Sequence, residues 1–392
     1  MEMQSTPPSF VERFFKVREK GSTVRTELIA GMTTFIAMAY ILFVNPNILA
    51  DAGIPKEAAI ASTIWIAALA SLAMGIFANY PVALAPGMGL NAFFAYYVCG
   101  VLGLHWTVAL GAVFFSGVLF LILTVSGIRQ SIINAVPRDL KYAISVGIGL
   151  FIAFIGLKGT GLIVENSATY VSLGHVTAPT TLLSLFGLLL TAALMARNVH
   201  GSILIGIFVT TILAMILGMT PAPKGITDIV STSLPHMGET FGQLDLAGAW
   251  HYGLVSIIFT FTVVELFDNM GTLIGLTTKA KMVRPDGHIE NIDKALTTDA
   301  VGTMVSAMFG TSTVTSYIES AAGIAAGGRT GLTAVAAGVL FLAALLFTPL
   351  IGLVPAFATA PALILVGALL MSEVGKIDFS DFTNALPAFL SI

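Results

Sequence analysis

SIIFTFTVVELFDNMGTLIGL, residues 256–276, is long and apolar enough to cross a bilayer core roughly 30 Å thick as a single helix. It nevertheless carries Glu265 and Asp268. A second apolar stretch, TSTVTSYIESAAGIAAG (311–327), carries Glu319. A charge at that depth costs at least about 2.5 kcal/mol on the most lenient insertion scale. It persists only where it faces a cavity, pairs, or takes up a proton. Intramembrane acids in a chain of many spans therefore point to a transport pathway, with proton coupling as the natural use of the acid.

The surrounding chain supports that setting. Of its 392 residues, 56% are apolar and 10% charged, and the mean hydropathy is +0.93. Soluble domains carry about 25% charged residues, so this composition excludes a soluble enzyme. A β-barrel would show short alternating segments; here the apolar runs are continuous. The reading is an all-α polytopic membrane protein. The net charge of −3 says little about partners. A single cysteine, Cys99, excludes an intrachain disulfide. Residues 1–26 are polar and basic and show no cleavable signal.

Hydropathy predicts spans at 28–50, 57–78, 106–126, 140–158, 180–196, 201–219, 253–276, 330–350 and 352–372. Two further segments are apolar but fractured. Pro86, Gly87 and Gly89 interrupt VALAPGMGLNAFFAYYV (82–98), and Gly310 with the Thr/Ser run 311–316 interrupts the run from Val301 to Gly327. Such segments read as discontinuous helices. Basic residues gather before the first span (Arg13, Lys16, Arg18, Lys20, Arg25), at 127–141 (Arg129, Arg138, Lys141) and at 277–295 (Lys279, Lys281, Arg284, Lys294). The alternate loops carry only Lys56 and Lys224. The positive-inside rule then makes the N-terminus and the 277–295 loop cytoplasmic, in a multi-pass protein of the inner (plasma) membrane.

An internal echo suggests a repeat. GVLFL at 117–121 recurs at 338–342, an offset of 221 residues. The same offset lays the fractured segment Pro86–Phe94 over Ala307–Thr315 and the first span over the one carrying Glu265. Corresponding interrupted segments in two halves mark a transporter binding site. A repeat of that length implies a full protein of more than about 440 residues, so the chain is expected to stop short of about its last two spans.

Three motifs carry the chemistry. In APGMGLNAFFAYY (85–97), glycines permit an unwound backbone whose polar groups face a ligand, and Asn91 offers a donor and an acceptor. The alternative is close helix packing with Asn91 as interhelical glue. In VVELFDNMGTLIG (263–275), Glu265 and Asp268 share one helical face, and Thr272 follows Asp268 one turn on. Two acids one turn apart can share a proton. The alternatives are a salt bridge to a loop lysine or Arg329, and, for Glu265, a bond to the other fractured segment. In GTSTVTSYIESAAGIAAGGRTG (310–331), the Thr/Ser run suits an extended stretch, and a half-helix beginning near Tyr317–Ile318 would hold Glu319 in its first turn. Asp299 reads as a helix-start or loop-bridging acid, and Arg329 as structural, at a tight turn. Phe93, Phe94, Tyr96 and Tyr97 read as packing, with one ring, Phe93, available to stack on a planar base. The histidines, His288 included, show no metal spacing, and there is no P-loop and no nucleophile–base pair. No cofactor and no nucleic-acid partner are expected.

GMGLNAFF (87–94), ELFDNMGTLIG (265–275), TSTVTSYIESAAGIAAGGRTGLTAV (311–335) and the opening KGSTVRTELIAGMTTFIAMAYILFVNP (20–46) together resemble the AzgA-like purine permeases. These are the hypoxanthine/adenine/guanine branch of the nucleobase–cation symporter superfamily. The resemblance runs from about residue 10 to the end. It implies fourteen segments in two inverted sets of seven, with segments 1–4 and 8–11 forming a core domain and 5–7 and 12–14 a gate domain. The third and tenth segments would each be a short strand and a half-helix. On this chain the core falls on 27–126 and 251–350 and the gate on 127–219 and the truncated 351–392, with 1–26 cytoplasmic and 220–250 an extracytoplasmic loop. The binding positions that the resemblance implies are Asn91, Asp268 and Glu319; Glu265 is not among them.

The sequence thus reads as a purine nucleobase:proton symporter with an elevator-like motion of core against gate. Asp268 and Glu319 take the N–H edge of the base, and Asn91, Ser316, Thr272 and Phe93 complete the site. Asp268, sharing with Glu265, carries the coupling proton. The partners are the base, the proton and the lipid bilayer, with a homodimer left open. The alternatives are an anion (sulfate-type) carrier of the same fold, which wants a cation near the broken helices, and a channel, which wants a continuous polar stripe.

Overall fold

A continuous apolar run in a bilayer can satisfy its backbone only from within, and helix is the result. The computed structural model describes residues 8–128, 136–231, 235, 237–251, 255–284 and 289–392; Arg129 and His288 lie outside them. In chain order, α1 (Val24–Asp51) and α2 (Lys56–Ala78) lead to a short strand, β1 (Leu84–Pro86), and the helix α3 (Met88–Val101). Helices α4 (Trp106–Val125) and α5 (Arg138–Gly159) follow, then a hairpin of β2 (Ile163–Asn166) and β3 (Tyr170–Leu173), then α6 (Pro179–Ala196) and α7 (Ser202–Ile216). The second part runs through α8 (Val255–Lys279), α9 (Ile292–Phe309), β4 (Val314–Ser316), α10 (Ser320–Ala325), α11 (Gly331–Leu353), α12 (Ala356–Lys376) and α13 (Phe382–Ser391). Eight of the described helices are long and apolar enough to cross a membrane.

Each hydropathy span coincides with a helix, but three expectations are corrected. The run 301–327 is not one fractured segment. Its first part completes α9, a full helix that hydropathy misses because Asp293, Lys294, Thr297, Thr298 and Asp299 dilute its apolar stretch. Helix α9 ends at Gly310, whose φ of 84° turns the chain toward β4. Asp299 therefore neither starts a helix nor bridges loops; it lies inside α9 and is fully buried. The constant 221-residue offset also fails at the fractured segments. β1 pairs with β4, and Pro86 meets Val314, whereas the offset would place it on Ala307 inside α9. The α8–α9 connection is longer than the α1–α2 connection, and α10 is shorter than α3, so no single offset can hold.

Packing follows small residues. Helix α9 lies against α4 and α2, α11 against α1 and α2, α10 against α1, and α8 against α4. Separately, α12 lies against α5 and α6, α7 against α6, and α13 against α5. Gly117 lets α4 meet α9: a Cβ there would fall 2.8 Å from Met304 Cγ. Gly338 does the same for α11 on α2, where a Cβ would fall 3.0 Å from the Ala68 carbonyl. Without a hydrophobic drive between helices in lipid, such close approach supplies the dispersion contacts that hold them.

Candidate functional site

β1 leads into α3 and β4 into α10, and the backbone groups that these short extended stretches leave open pair with each other. The strands run antiparallel, with Leu84 opposite Ser316 and Ala85 opposite Thr315. The pairing extends at both ends: Gly87 N donates to the Thr313 carbonyl at 2.9 Å and Tyr317 N to the Ala83 carbonyl at 3.1 Å. Side chains supply the rest. Tyr317 OH donates to the Pro86 carbonyl at 2.6 Å, and Ser71 on α2 bonds the Leu84 backbone at 2.9 Å. Pro86, which has no N–H, costs the pairing nothing at the end of a two-stranded ribbon.

Helix α8 lies across this ribbon and presents three successive polar positions to it. Glu265 is fully buried and accepts a hydrogen bond from Thr303 of α9; the same hydroxyl accepts from Val314 N at 3.1 Å. Asn269 is fully buried too. Its Oδ1 accepts from Ser316 N at 2.8 Å, which directs its amide nitrogen to Asp299. Asp268 is half-buried, and its Oδ2 lies 2.9 Å from the Thr315 hydroxyl. That hydroxyl is also 3.1 Å from Asn269 Oδ1, and its single hydrogen serves one of them at a time. Asn269 therefore ties α8, α9 and β4 together.

The remaining candidates sit around the same crossing. Glu319 occupies the residue before α10, one step earlier than a first-turn position, and accepts from Tyr40 OH of α1 at 2.5 Å. Asn91 on α3 is fully buried and donates to Asn45 Oδ1 of α1 at 2.5 Å. The Phe93 ring is stacked on Tyr97 at 5.1 Å and meets Phe261 of α8 edge-on at 5.1 Å. Ser316 is buried beside Asn269, whereas Thr272 is half-buried one turn beyond Asp268 and stays outside this hydrogen-bond network. The strand register explains the difference: it brings Thr315 and Ser316 to positions 268 and 269 of α8, and nothing to 272.

Several buried polar atoms at the crossing have no partner: Asn91 Oδ1, Glu265 Oε2, Asp299 Oδ1, and the hydroxyls of Ser312, Thr313 and Ser316. A buried polar atom left unmade costs about 1–3 kcal/mol. A cluster of them is unlike a well-satisfied core and is suited to a hydrogen-bonding ligand. The field is acidic. Among the described residues the ion pairs recorded are Arg18–Glu12 and Lys376–Glu373, neither at the crossing. Arg329, the nearest cation in sequence to Glu319, is structural as expected. Its guanidinium donates to the carbonyls of Ile324 and Gly328 at 2.6 and 2.7 Å. A groove of about 640 Å³ between α2 and α9, with Phe77 and Val301 in its wall, lies away from the crossing. A cavity of about 470 Å³ instead sits where the α6–α7 turn approaches α1 and the end of α10, lined by Thr33, Ile36, His200, Ala325 and Ala326.

Residues 25–391 match the profile of the Permease family of xanthine/uracil type. The chain belongs to the xanthine/uracil permease family. This permease is 45% identical over 388 residues to the adenine permease AdeP of Escherichia coli, covering 99% of the chain and 86% of AdeP. It is 42% identical over 391 residues to the guanine/hypoxanthine permease PbuO of Bacillus subtilis, covering 96% of the chain and 88% of PbuO. Its fold resembles the transmembrane domain of a cyanobacterial bicarbonate transporter, BicA, with a TM-score of 0.69, 15% identity and 94% coverage of both chains. Membership makes it a transporter, not an enzyme.

Sequence reading of this permease missed Asn269, Asn45, Thr303, Thr315 and Tyr40. Asn269 was within reach: it stands four residues after Glu265, on the same helical face. The others sit in ordinary-looking apolar helices or a Thr/Ser run, and only the tertiary crossing gives them partners.

Proposed function

We propose that this permease imports purine nucleobases, and that a proton enters with each base. The observation that carries the reading is that three hydrogen-bond acceptors, Asp268 on α8, Glu319 at the start of α10 and the unpartnered Asn91 Oδ1 on α3, stand on elements that meet at the β1/β4 crossing, with no ion pair to a cation at any of them among the described residues. A neutral heterocycle with N–H groups on its edge answers those acceptors; an anion does not. The names of its relatives, an adenine permease and a guanine/hypoxanthine permease, support the purine class. The likeness to a bicarbonate transporter is one of fold alone, and an anion site would want a cation, which none of the described residues is seen to supply to the acids of the crossing.

In this reading Asp268 and Glu319 hold the N–H edge, Asn91 orients the base, Ser316 and the strand backbone complete its bonds, and Phe93 covers one face. Thr272 borders the site. Glu265 and Asp268 carry the proton. The N-terminus lies in the cytoplasm and the protein in the plasma membrane. Helices α1–α4 and α8–α11 form a core that moves against a gate of α5–α7, α12 and α13. The packing supports the division: the two sets contact chiefly their own members. It also supports an inverted repeat, since α4 packs on α9 as α11 packs on α2, each through a glycine of the GVLFL echo.

Competition for uptake tests the reading. Hypoxanthine, guanine or adenine should displace one another, and uracil should compete poorly. Efficient uracil uptake without purine competition would end it.

A further inference from the structure

Asn91 ends a chain of four fully buried polar side chains, with Asn45, Thr63 and Thr311, and the hydrogen of Thr63 decides which way the amides turn. The chain begins at Thr63 on α2. Its hydroxyl lies 2.6 Å from the carbonyl oxygen of Ala59, one turn back. A carbonyl only accepts, so the single hydroxyl hydrogen of Thr63 is committed there, and only lone pairs remain. Asn45 on α1 comes next, 2.8 Å from Thr63 Oγ1 and 3.3 Å from Thr311 Oγ1. Only the amide nitrogen of Asn45 can face an oxygen with no hydrogen left to give. The Asn45 carbonyl oxygen is thereby turned to Asn91, 2.5 Å away. Asn91 must answer with its own NH2. What is left is Asn91 Oδ1, buried and without a partner.

We infer that Asn45, held by Thr63, is a positioning residue that makes Asn91 an acceptor-only group, so that the ligand must bring an N–H donor to this point. The inference rests on reading Asn91 as facing the ligand, and it deepens that reading by fixing the polarity of the contact. An asparagine amide on its own offers a donor and an acceptor and can turn to show either. Here a turn of Asn91 would set two carbonyl oxygens 2.5 Å apart. A further turn of Asn45 would set its oxygen against the lone pairs of Thr63 at 2.8 Å. The preference is thus stored in two residues that do not touch the ligand. Ionised Asp268 and Glu319 also only accept. Together they select a ligand edge carrying several N–H groups over one that presents ring acceptors.

Two measurements test this. The first needs no ligand. In protein labelled with 15N-asparagine in nanodiscs, the side-chain amide signal of Asn91, assigned by its loss in Asn91→Asp, should move in Asn45→Leu and in Thr63→Val. It should stay in place in Thr63→Ser, which keeps the hydroxyl. The second measures Kd for hypoxanthine and for analogues in which each ring N–H in turn is replaced by N-methyl or C–H. In the unmodified protein one replacement should cost about 10- to 100-fold more than the others, because it leaves Asn91 Oδ1 buried and unmet. In Thr63→Val and Asn45→Leu that position-specific penalty should shrink to within about three-fold, while the penalties at other positions stay. Thr63→Ser should retain it. An Asn91 signal that ignores Asn45 and Thr63, or an equal loss for every analogue, would show that these residues only support the fold and would overturn the inference. If the unmodified protein binds no purine, the substrate reading falls, and the amide signal alone still decides whether Asn45 and Thr63 hold Asn91.

Discussion

Each acid at the crossing has a different set of neighbours, and those neighbours assign its work. Glu265 and Asp299 are fully buried and take hydrogen bonds from Thr303 and Asn269 that link α8 to α9, and Glu265 keeps Oε2 unpartnered for the proton proposed to pass between it and Asp268. Asp268 is half-buried and shares the Thr315 hydrogen with Asn269, so a ligand N–H can displace that bond at little cost. We expect Asp268→Ala to abolish purine binding while the protein still reaches the membrane, a loss of about 2–5 kcal/mol from leaving a ligand donor unmet. Equilibrium binding on membranes with matched protein levels measures it; near-normal affinity would move Asp268 to a structural role. Glu319 differs again. Its bond from Tyr40 can be kept by a glutamine side chain, whose oxygen also accepts. Glu319→Gln should therefore shift affinity or base preference and leave the coupling in place. Proteoliposomes decide it: intact purine exchange with lost pH-driven accumulation would instead make Glu319 the proton carrier.

At the scale of elements, what the sequence disclosed and what it hid follow from one distinction. Hydropathy is a property of a window, so spans with apolar surfaces, such as α4 and α11, were legible end to end. Glycine, proline and a Thr/Ser run break helices locally, so the two fractured sites were legible too. Helix α9 was not, because Asp293 and Lys294 at its exposed start and Asp299 and Thr303, which turn inward to Asn269, Glu265 and β4, dilute its apolar stretch, and a window cannot see direction. Nor could any window see that β1 meets β4 from some 230 positions away, or which residue of α8 the register would bring to Thr315. The acids were found from their cost in a membrane; their partners came only from the crossing. The glycine of the echo gives an element-scale prediction. Gly338→Leu drives a branched side chain into α2 at the Ala68 carbonyl and Leu72. Overpacking of this kind costs about 1–3 kcal/mol. The melting temperature in detergent should fall accordingly, with Gly117→Leu behaving alike at the α4–α9 contact. A melting temperature unchanged in both variants would mean that these crossings tolerate separation and do not hold the fold.

For the molecule as a whole, the proposed cycle requires the core to slide against the gate, and one contact reports on it directly. The α6–α7 turn belongs to the proposed gate and α1 to the core. A Cβ at Gly201 would lie 2.5 Å from Ile36 Cγ2, and His200 faces the same cavity as Ile36 and Ala325. Two surfaces that close cannot move past each other while a short covalent bridge joins them, though helices within either set would be untroubled. In a Cys99→Ala background, cysteines replacing Ile36 and His200, joined by a short reducible bis-thiol reagent, should stop purine uptake. Cleaving the bridge should restore uptake, and purine binding to the bridged protein should persist within about ten-fold, since the β1/β4 crossing lies wholly within the core. A bridge formed to completion that leaves the uptake rate unchanged would show that no core–gate displacement takes place at this contact. Transport would then have to arise from rearrangement inside the core itself, where Asn269 and the paired strands leave α8, α9 and β4 the least room to move.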